Sequence, residues 1–228
     1  MLIKWGSIVI DGSGKLGGHV FSKSIGGNTM RTLRKPRNPQ TRGQQRVRAI
    51  LTNLSQQWRL LTEVQRLSWY RAESKFSRIN RFGDVVLLTG KNLFNSLNSQ
   101  RNLINLEPLL TAPLPERVPK VFVDFGIINT VGAKIEFIGE FEPETKYVIM
   151  GSPIVSQGVR DGRQELRVLD VFETNTAGNG FQNESFIYTV YVNTFAVPVS
   201  GDKIFLGVYG INEIGQRSTT VAVVAFIQ

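Results

Sequence analysis

Chemistry in this chain would have to come from a short list of residues. His19 is the only histidine and there is no cysteine, so two-histidine metal sites, thiolate zinc sites, disulfides and thiol nucleophiles are all excluded. His19 lies beside Val20 and Phe21 in glycine-rich surroundings and reads as a structural or exposed side chain. Glu140-Phe141-Glu142-Pro143-Glu144 gathers three carboxylates, the raw material of an acid/base pair or a Ca²⁺ site. Their setting is a strand running into a turn, where charges keep an exposed edge soluble. Asp11-Gly12-Ser13-Gly14-Lys15 has glycines and a lysine but lacks the four-residue gap and the Lys-Ser/Thr ending of a phosphate-binding loop. No serine stands in a Gly-x-Ser-x-Gly elbow. The expectation is a non-enzymatic protein with no catalytic residue, no metal and no cofactor.

The informative run is cationic. Arg31, Arg34, Lys35, Arg37, Arg42, Arg46 and Arg48 place seven cations within 18 residues. A solvated face is the plain alternative. Arginine outnumbers lysine here, which favours fixed contacts to carboxylates, phosphates or peptide carbonyls. Residues 1–110 hold 18 Lys and Arg against 5 Asp and Glu, a net of +13, whereas residues 111–228 hold 9 against 13, a net of −4. So sharp a split implies two modules, the basic one facing either nucleic acid or an acidic protein surface.

The elements that carry these residues follow from periodicity. Apolar residues at 41% with 10% aromatics suffice for real cores, which excludes a wholly disordered chain. Residues 1–38 are rich in Gly and basic side chains, with apolar pieces at Ser7-Ile8-Val9-Ile10 and His19-Val20-Phe21. They predict short strands or an extended arm, ordered by lying on this chain's helices or on a neighbouring subunit. Asn38-Pro39 predicts a helix start, with Asn as cap and Pro at the first helical position. Val47, Ile50, Leu51, Leu54, Trp58 and Leu61 then form one face of a helix of about five turns. Arg42, Arg46 and Arg48 crowd its start and oppose the helix dipole, so they serve something other than helix stability. Thr62-Glu63-Val64-Gln65 has the capping-box pattern and opens a second helix with Val64, Leu67 and Tyr70 as its thin apolar stripe. A third follows Thr89-Gly90 with Leu93, Phe94, Leu97 and Ile104.

Pro113, Pro115 and Pro119 mark a boundary. Beyond it the period becomes two, with strands expected at 119–126, 133–139, 145–151, 164–173, 185–193, 203–211 and 217–227. The expected fold class is α+β in two modules: an extended basic arm (1–38), a helical bundle (39–110), a Pro-rich linker (111–118) and a seven-stranded antiparallel β-sandwich (119–228) of fibronectin III or immunoglobulin kind. Without cysteine, the disulfide-bridged immunoglobulin version is excluded. No run approaches the apolar length of a membrane span. The N-terminus lacks the apolar stretch and small-residue site of a signal peptide, so synthesis in a cytoplasm is expected.

Several spaced motifs recur in one order: Gly14-Lys15-Leu16-Gly17-Gly18-His19-Val20, Met30-Arg31, Pro36-Arg37-Asn38-Pro39-Gln40-Thr41, Gln44-Gln45 with Arg48, Gln57-Trp58, and Leu61-Thr62-x-x-Gln65-Arg66-x-x-Trp69. Phe82-Gly83-Asp84, Gly90-Lys91-Asn92-Leu93-Phe94 and Pro113-Leu114-Pro115 continue the pattern. Over roughly residues 8–118 the chain resembles the N-terminal module of tailed-phage and prophage virion structural proteins, in which an immunoglobulin-like domain often follows. The segment Val208 to Ser218 is similar to the last hairpin of a fibronectin domain. The resemblance implies a particle component made in the host bacterial cytoplasm and placed on the capsid, the portal and neck, or the tail in many symmetric copies. It carries no catalytic residues.

Together these features lead to the expectation that the basic half docks on other virion proteins, through Arg31, Arg34, Lys35, Arg37, Arg42, Arg46 and Arg48. Trp58, Trp69 and Tyr70 serve as interface anchors, with helical core as the alternative. A second hypothesis is binding of packaged nucleic acid. A third is adhesion or carbohydrate binding through the sandwich loops, where Phe181 is the main aromatic. No membrane partner is expected.

Overall fold

The computed structural model describes residues 2–3, 12–24, 27–35, 38–80, 82–174 and 184–227. The chain divides into two compact units, Met1–Ser99 with Leu109–Pro115, and Gln100–Pro108 with Glu116–Gln228.

In the first unit, β1 (Leu2–Ile3), β2 (Gly14–Leu16), β3 (His19–Ser24) and β4 (Gly27–Thr32) form an antiparallel sheet in the order β1-β4-β3-β2. Of the two alternatives the sequence left open for residues 1–38, short strands or an extended arm, the described residues form short strands joined in hairpins. Gly17 turns β2 into β3 at φ 53°, in the left-handed region that favours Gly. No residue from Gly12 to Lys35 whose exposure is described is buried. The expected strand at Ser7–Ile10 lies outside the described residues.

Helix α1 (Arg42–Leu60) begins after the expected Asn38 cap. Gln40 takes a left-handed φ of 49° and breaks any earlier turn. Thr41 is the cap instead, its hydroxyl accepting from the Gln44 N–H at 3.4 Å. Helix α2 (Glu63–Ala72) has the full capping box: Thr62 Oγ1 accepts from Gln65 N, and Gln65 Oε1 accepts from Thr62 N. A 3-10 turn (Glu73–Phe76), a small hairpin of β5 (Arg78–Ile79) and β6 (Val85–Val86), and α3 (Gly90–Leu103) follow. Leu54, Trp58, Leu61, Trp69, Ala72, Phe76, Leu93, Phe94 and Leu97 are buried. The rings of Trp58 and Trp69 each lie 5.3 Å from that of Phe94. Segment 109–112 is stitched on by side chains. Fully buried Asn98 donates to Leu109 O at 3.2 Å and accepts from Leu109 N at 2.7 Å. Trp69 Nε1 donates to Leu110 O at 3.0 Å, and Ser68 Oγ accepts from Ala112 N at 3.0 Å.

The second unit corrects the predicted fold class. It holds β7 (Val121–Asn129), β8 (Lys134–Phe141), β9 (Lys146–Gly151), β10 (Arg167–Glu173), α4 (Glu184–Thr194), β11 (Phe205–Ile211) and β12 (Val221–Ile227). The strands form one six-stranded sheet in the order β10-β9-β11-β12-β7-β8. That sheet is mixed, since β12 pairs parallel with β7 through Ala225 and Gly126, so the unit is not a seven-stranded antiparallel sandwich. The overturning element is 185–193. Its Ile, Tyr and Val content suits a strand, but Ile187, Tyr188 and Tyr191, with Val192 and Phe195, fall on one helical face and join the main core. Helix α4 covers one face of the sheet beside β8 and β10. On the other face Val148, Tyr209 and Ile211 pack with Ile104. Every residue of β11 is therefore buried.

Two expectations for stability follow. Asn98→Ala would strand both Leu109 backbone groups in a buried site, and a loss of about 2–5 kcal/mol is expected in chemical denaturation. Burial pushes the Tyr147, Tyr191 and Tyr209 phenols up from their ordinary value. A neutral phenol favoured by folding gives stability that is complete below the unfolded tyrosine pKa of about 10. It is lost as pH rises through the folded values. Thermal melts should thus be flat in this respect to about pH 9 and fall above 10, with tyrosinate absorbance rising together with unfolding; a tyrosinate signal fully developed in the folded protein near pH 10 contradicts this.

Candidate docking surface

Helix α1 has no acidic residue in its first turn, so the charges of Arg42 and Arg46 add to the positive end of the helix dipole instead of offsetting it. Neither guanidinium makes an ion pair among the described residues. Arg48 Nη2 donates to Asn38 Oδ1 at 2.7 Å, tying the segment before the helix to its second turn. Residues 42–49 are all exposed. The expected apolar face therefore divides in two. Leu54, Trp58 and Leu61 enter the core, whereas Val47 stays 56% and Leu51 43% exposed, with Ile50 half-buried. The first turns of α1 are a cationic helix with an apolar seam that nothing described in this chain covers.

The preceding strand continues that character. Cross-strand register sets Lys15, Val20 and Arg31 in one row, placing two cations on the same face of the small sheet. Arg31, Arg34 and Lys35 are exposed, and Arg37 lies outside the described residues. Of the expected anchors, Trp58 and Trp69 are in the core at 8% and 0% exposure; they hold the helices together and present nothing to a partner. Tyr70 keeps half its surface, with its ring edge-on to Trp58 at 6.0 Å. The sequence reading placed Val47, Leu51, Val64 and Leu67 on the apolar faces of their helices, and all four are exposed. Only the start of burial at Leu54 shows them to be surface residues.

Among the Glu140–Glu144 carboxylates, Glu142 is engaged with neighbouring backbone and side chain. Glu142 Oε1 accepts from Arg117 Nη2 at 2.7 Å and from Lys120 N at 3.2 Å, clasping the chain at the start of β7. With Glu144, Glu173 and Glu213 it lines an acidic cleft of about 370 Å³ in the second unit. No group of three or more His, Asp or Glu side chains among the described residues is placed to hold a metal ion. Phe181, the main aromatic for the third hypothesis, lies outside the described residues. Among those residues no helix is long and apolar enough to cross a membrane. Comparison with protein-family models, with curated proteins and with solved structures finds no match to this chain.

If the α1 arginines serve a partner and not the helix, removing them must not weaken the fold. Arg42→Glu with Arg46→Glu should raise stability slightly, by about 0.3–1 kcal/mol per site at low salt. A clear fall in melting temperature would mean that these side chains have a structural role.

Proposed function

We propose that this protein is a non-enzymatic structural component of a tailed-phage virion, attached to acidic surfaces of other virion proteins through its basic N-terminal half. The observation that carries this reading is the set of exposed cations Arg31, Arg34, Lys35, Arg42, Arg46 and Arg48, with Val47 and Leu51 exposed on the same helix as the last three. A phosphate backbone offers charge but nothing for an apolar seam, whereas a protein groove with an acidic rim satisfies both. The β2–β4 hairpins support the same reading, because strands with no buried side chain among those described gain order by lying on another surface. Repetition around a symmetric particle makes strong attachment from modest single contacts. The mixed-sheet unit is then the part such a component displays. The motif resemblance over residues 8–118 supplies the virion setting.

Quantitative mass spectrometry of purified particles tests this directly. Hundreds of copies indicate decoration of the capsid, about a dozen a neck or tail ring. The full chain with Arg42→Glu, Arg46→Glu and Arg48→Glu should fold normally yet fall at least tenfold in incorporation. Absence of the wild-type protein from particles overturns the proposal. Salt-sensitive binding to random duplex DNA, lost in the same triple variant, would replace it with the nucleic-acid reading.

A further inference from the structure

Helix α2 turns its expected apolar stripe outwards. Val64 is 78% exposed, Leu67 44% and Tyr70 50%, and Glu63 and Arg71 beside them are exposed as well. At about 100° per residue, these five residues span an arc of about 120° with Leu67 at its centre. Trp69 and Ala72, on the opposite side, are buried. The face is held firmly. The Tyr70 ring stands edge-on to Trp58 and so close to Gly90 that a Cβ there would meet it at 2.9 Å. The capping box secures the other end.

The order of side chains along this face says what covers it. Glu63 and Arg71 are equidistant from Leu67, and so are Val64 and Tyr70. Antiparallel packing of two such helices about Leu67 brings Glu63 of each copy level with the partner's Arg71, within the reach of these long side chains. It brings Val64 level with the partner's Tyr70 and places the two Leu67 side chains on the two-fold axis. Parallel packing would set like charges level with each other at both ends. Neither Glu63 nor Arg71 has an ion-pair partner among the described residues, so both are available.

We infer that α2 is a homodimer contact, with a second copy of this chain as its occupant, related by a two-fold axis through Leu67. The interface is isologous, self-complementary in charge and centred on an aliphatic seam flanked by one tyrosine. It is independent of the arginine surface on α1, and the proposed attachment to other virion proteins does not enter the argument. With one short helix per copy the buried area falls in the range below about 1,200 Å² typical of weak contacts, so a dissociation constant on the order of tens of micromolar is expected.

Sedimentation equilibrium on the full chain provides the test. The wild type should pass from monomer to dimer across that range. Glu63→Arg alone, or Arg71→Glu alone, makes both symmetric pairs repulsive and should weaken dimerisation roughly tenfold. The double variant restores opposite charges and should recover wild-type affinity. A merely structural effect of the single changes would not be rescued in this way, and melting temperatures of all variants report whether the fold is kept. Leu67→Lys should abolish the dimer. A protein that stays monomeric to about 1 mM, or one whose association ignores these substitutions, overturns the inference. Incorporation into particles is read out separately, so failure here and failure of the α1 docking model are distinguishable.

Discussion

Asn98 commits both ends of its amide to one residue, Leu109, and does so with no solvent exposure. The first unit depends on that clasp. Its chain runs out through residues 100–108, which belong to the second unit, and returns at Leu109. A returning strand of backbone brings polar groups into a buried site, where each unpaired group costs about 1–3 kcal/mol. Asn98 satisfies two of them, Trp69 Nε1 takes the Leu110 carbonyl, and Ser68 Oγ takes the Ala112 amide. Segment 109–112 thereby becomes part of the helical unit, although nothing in its own sequence would hold it there. The clasp also fixes Trp69, whose ring meets Phe94 on α3, so the same contacts that bring the chain back also hold two helices together.

This arrangement decides what the helices can offer a partner. With Trp58, Trp69 and Phe94 filling the centre, the core is small and needs only the C-terminal half of α1 and one side of α2. The rest of each amphipathic pattern is left over, as the Val47–Leu51 seam on α1 and the Val64–Leu67–Tyr70 face on α2. The two leftovers differ in charge. The charged residues beside the first on α1 are all arginines, which suits an acidic protein surface. The second carries one acid and one base at opposite ends, which suits a copy of itself.

The second unit follows a different logic. Its β9 and β11 strands are buried on both faces, by α4 on one and by Ile104 on the other. The parallel β12–β7 pair joins the first and last strands of the sheet. Tyr147 and Tyr191 put their hydroxyls on backbone carbonyls, of Lys120 and Ser152 respectively, so each large ring is buried without leaving its polar end unpaired. The Glu142 clasp on Arg117 and Lys120 belongs to the same scheme, as a side chain fixing where β7 begins.

Sequence alone determined the features that depend on neighbouring residues. The Thr62 capping box is a local reciprocal bond, and it is present as its residues indicate. The period-two pattern places strands β7, β8, β9, β10 and β11 close to where they lie, and Gly17 marks its hairpin because a left-handed φ of 53° favours glycine. The cationic stretch from Arg31 to Arg48 was equally plain, since charge needs no fold to be counted. Tertiary structure decided the rest. Residues 185–193 carry strand-forming side chains, but the sheet needed a cover, and burial of Ile187, Tyr188 and Tyr191 as a helical face outweighed their intrinsic preference. The apolar stripes of α1 and α2 say that a face is amphipathic without saying whether it turns inwards. That choice belongs to the size of the core, and Trp69 with Phe94 filled it before Val47, Leu51, Val64 and Leu67 could enter.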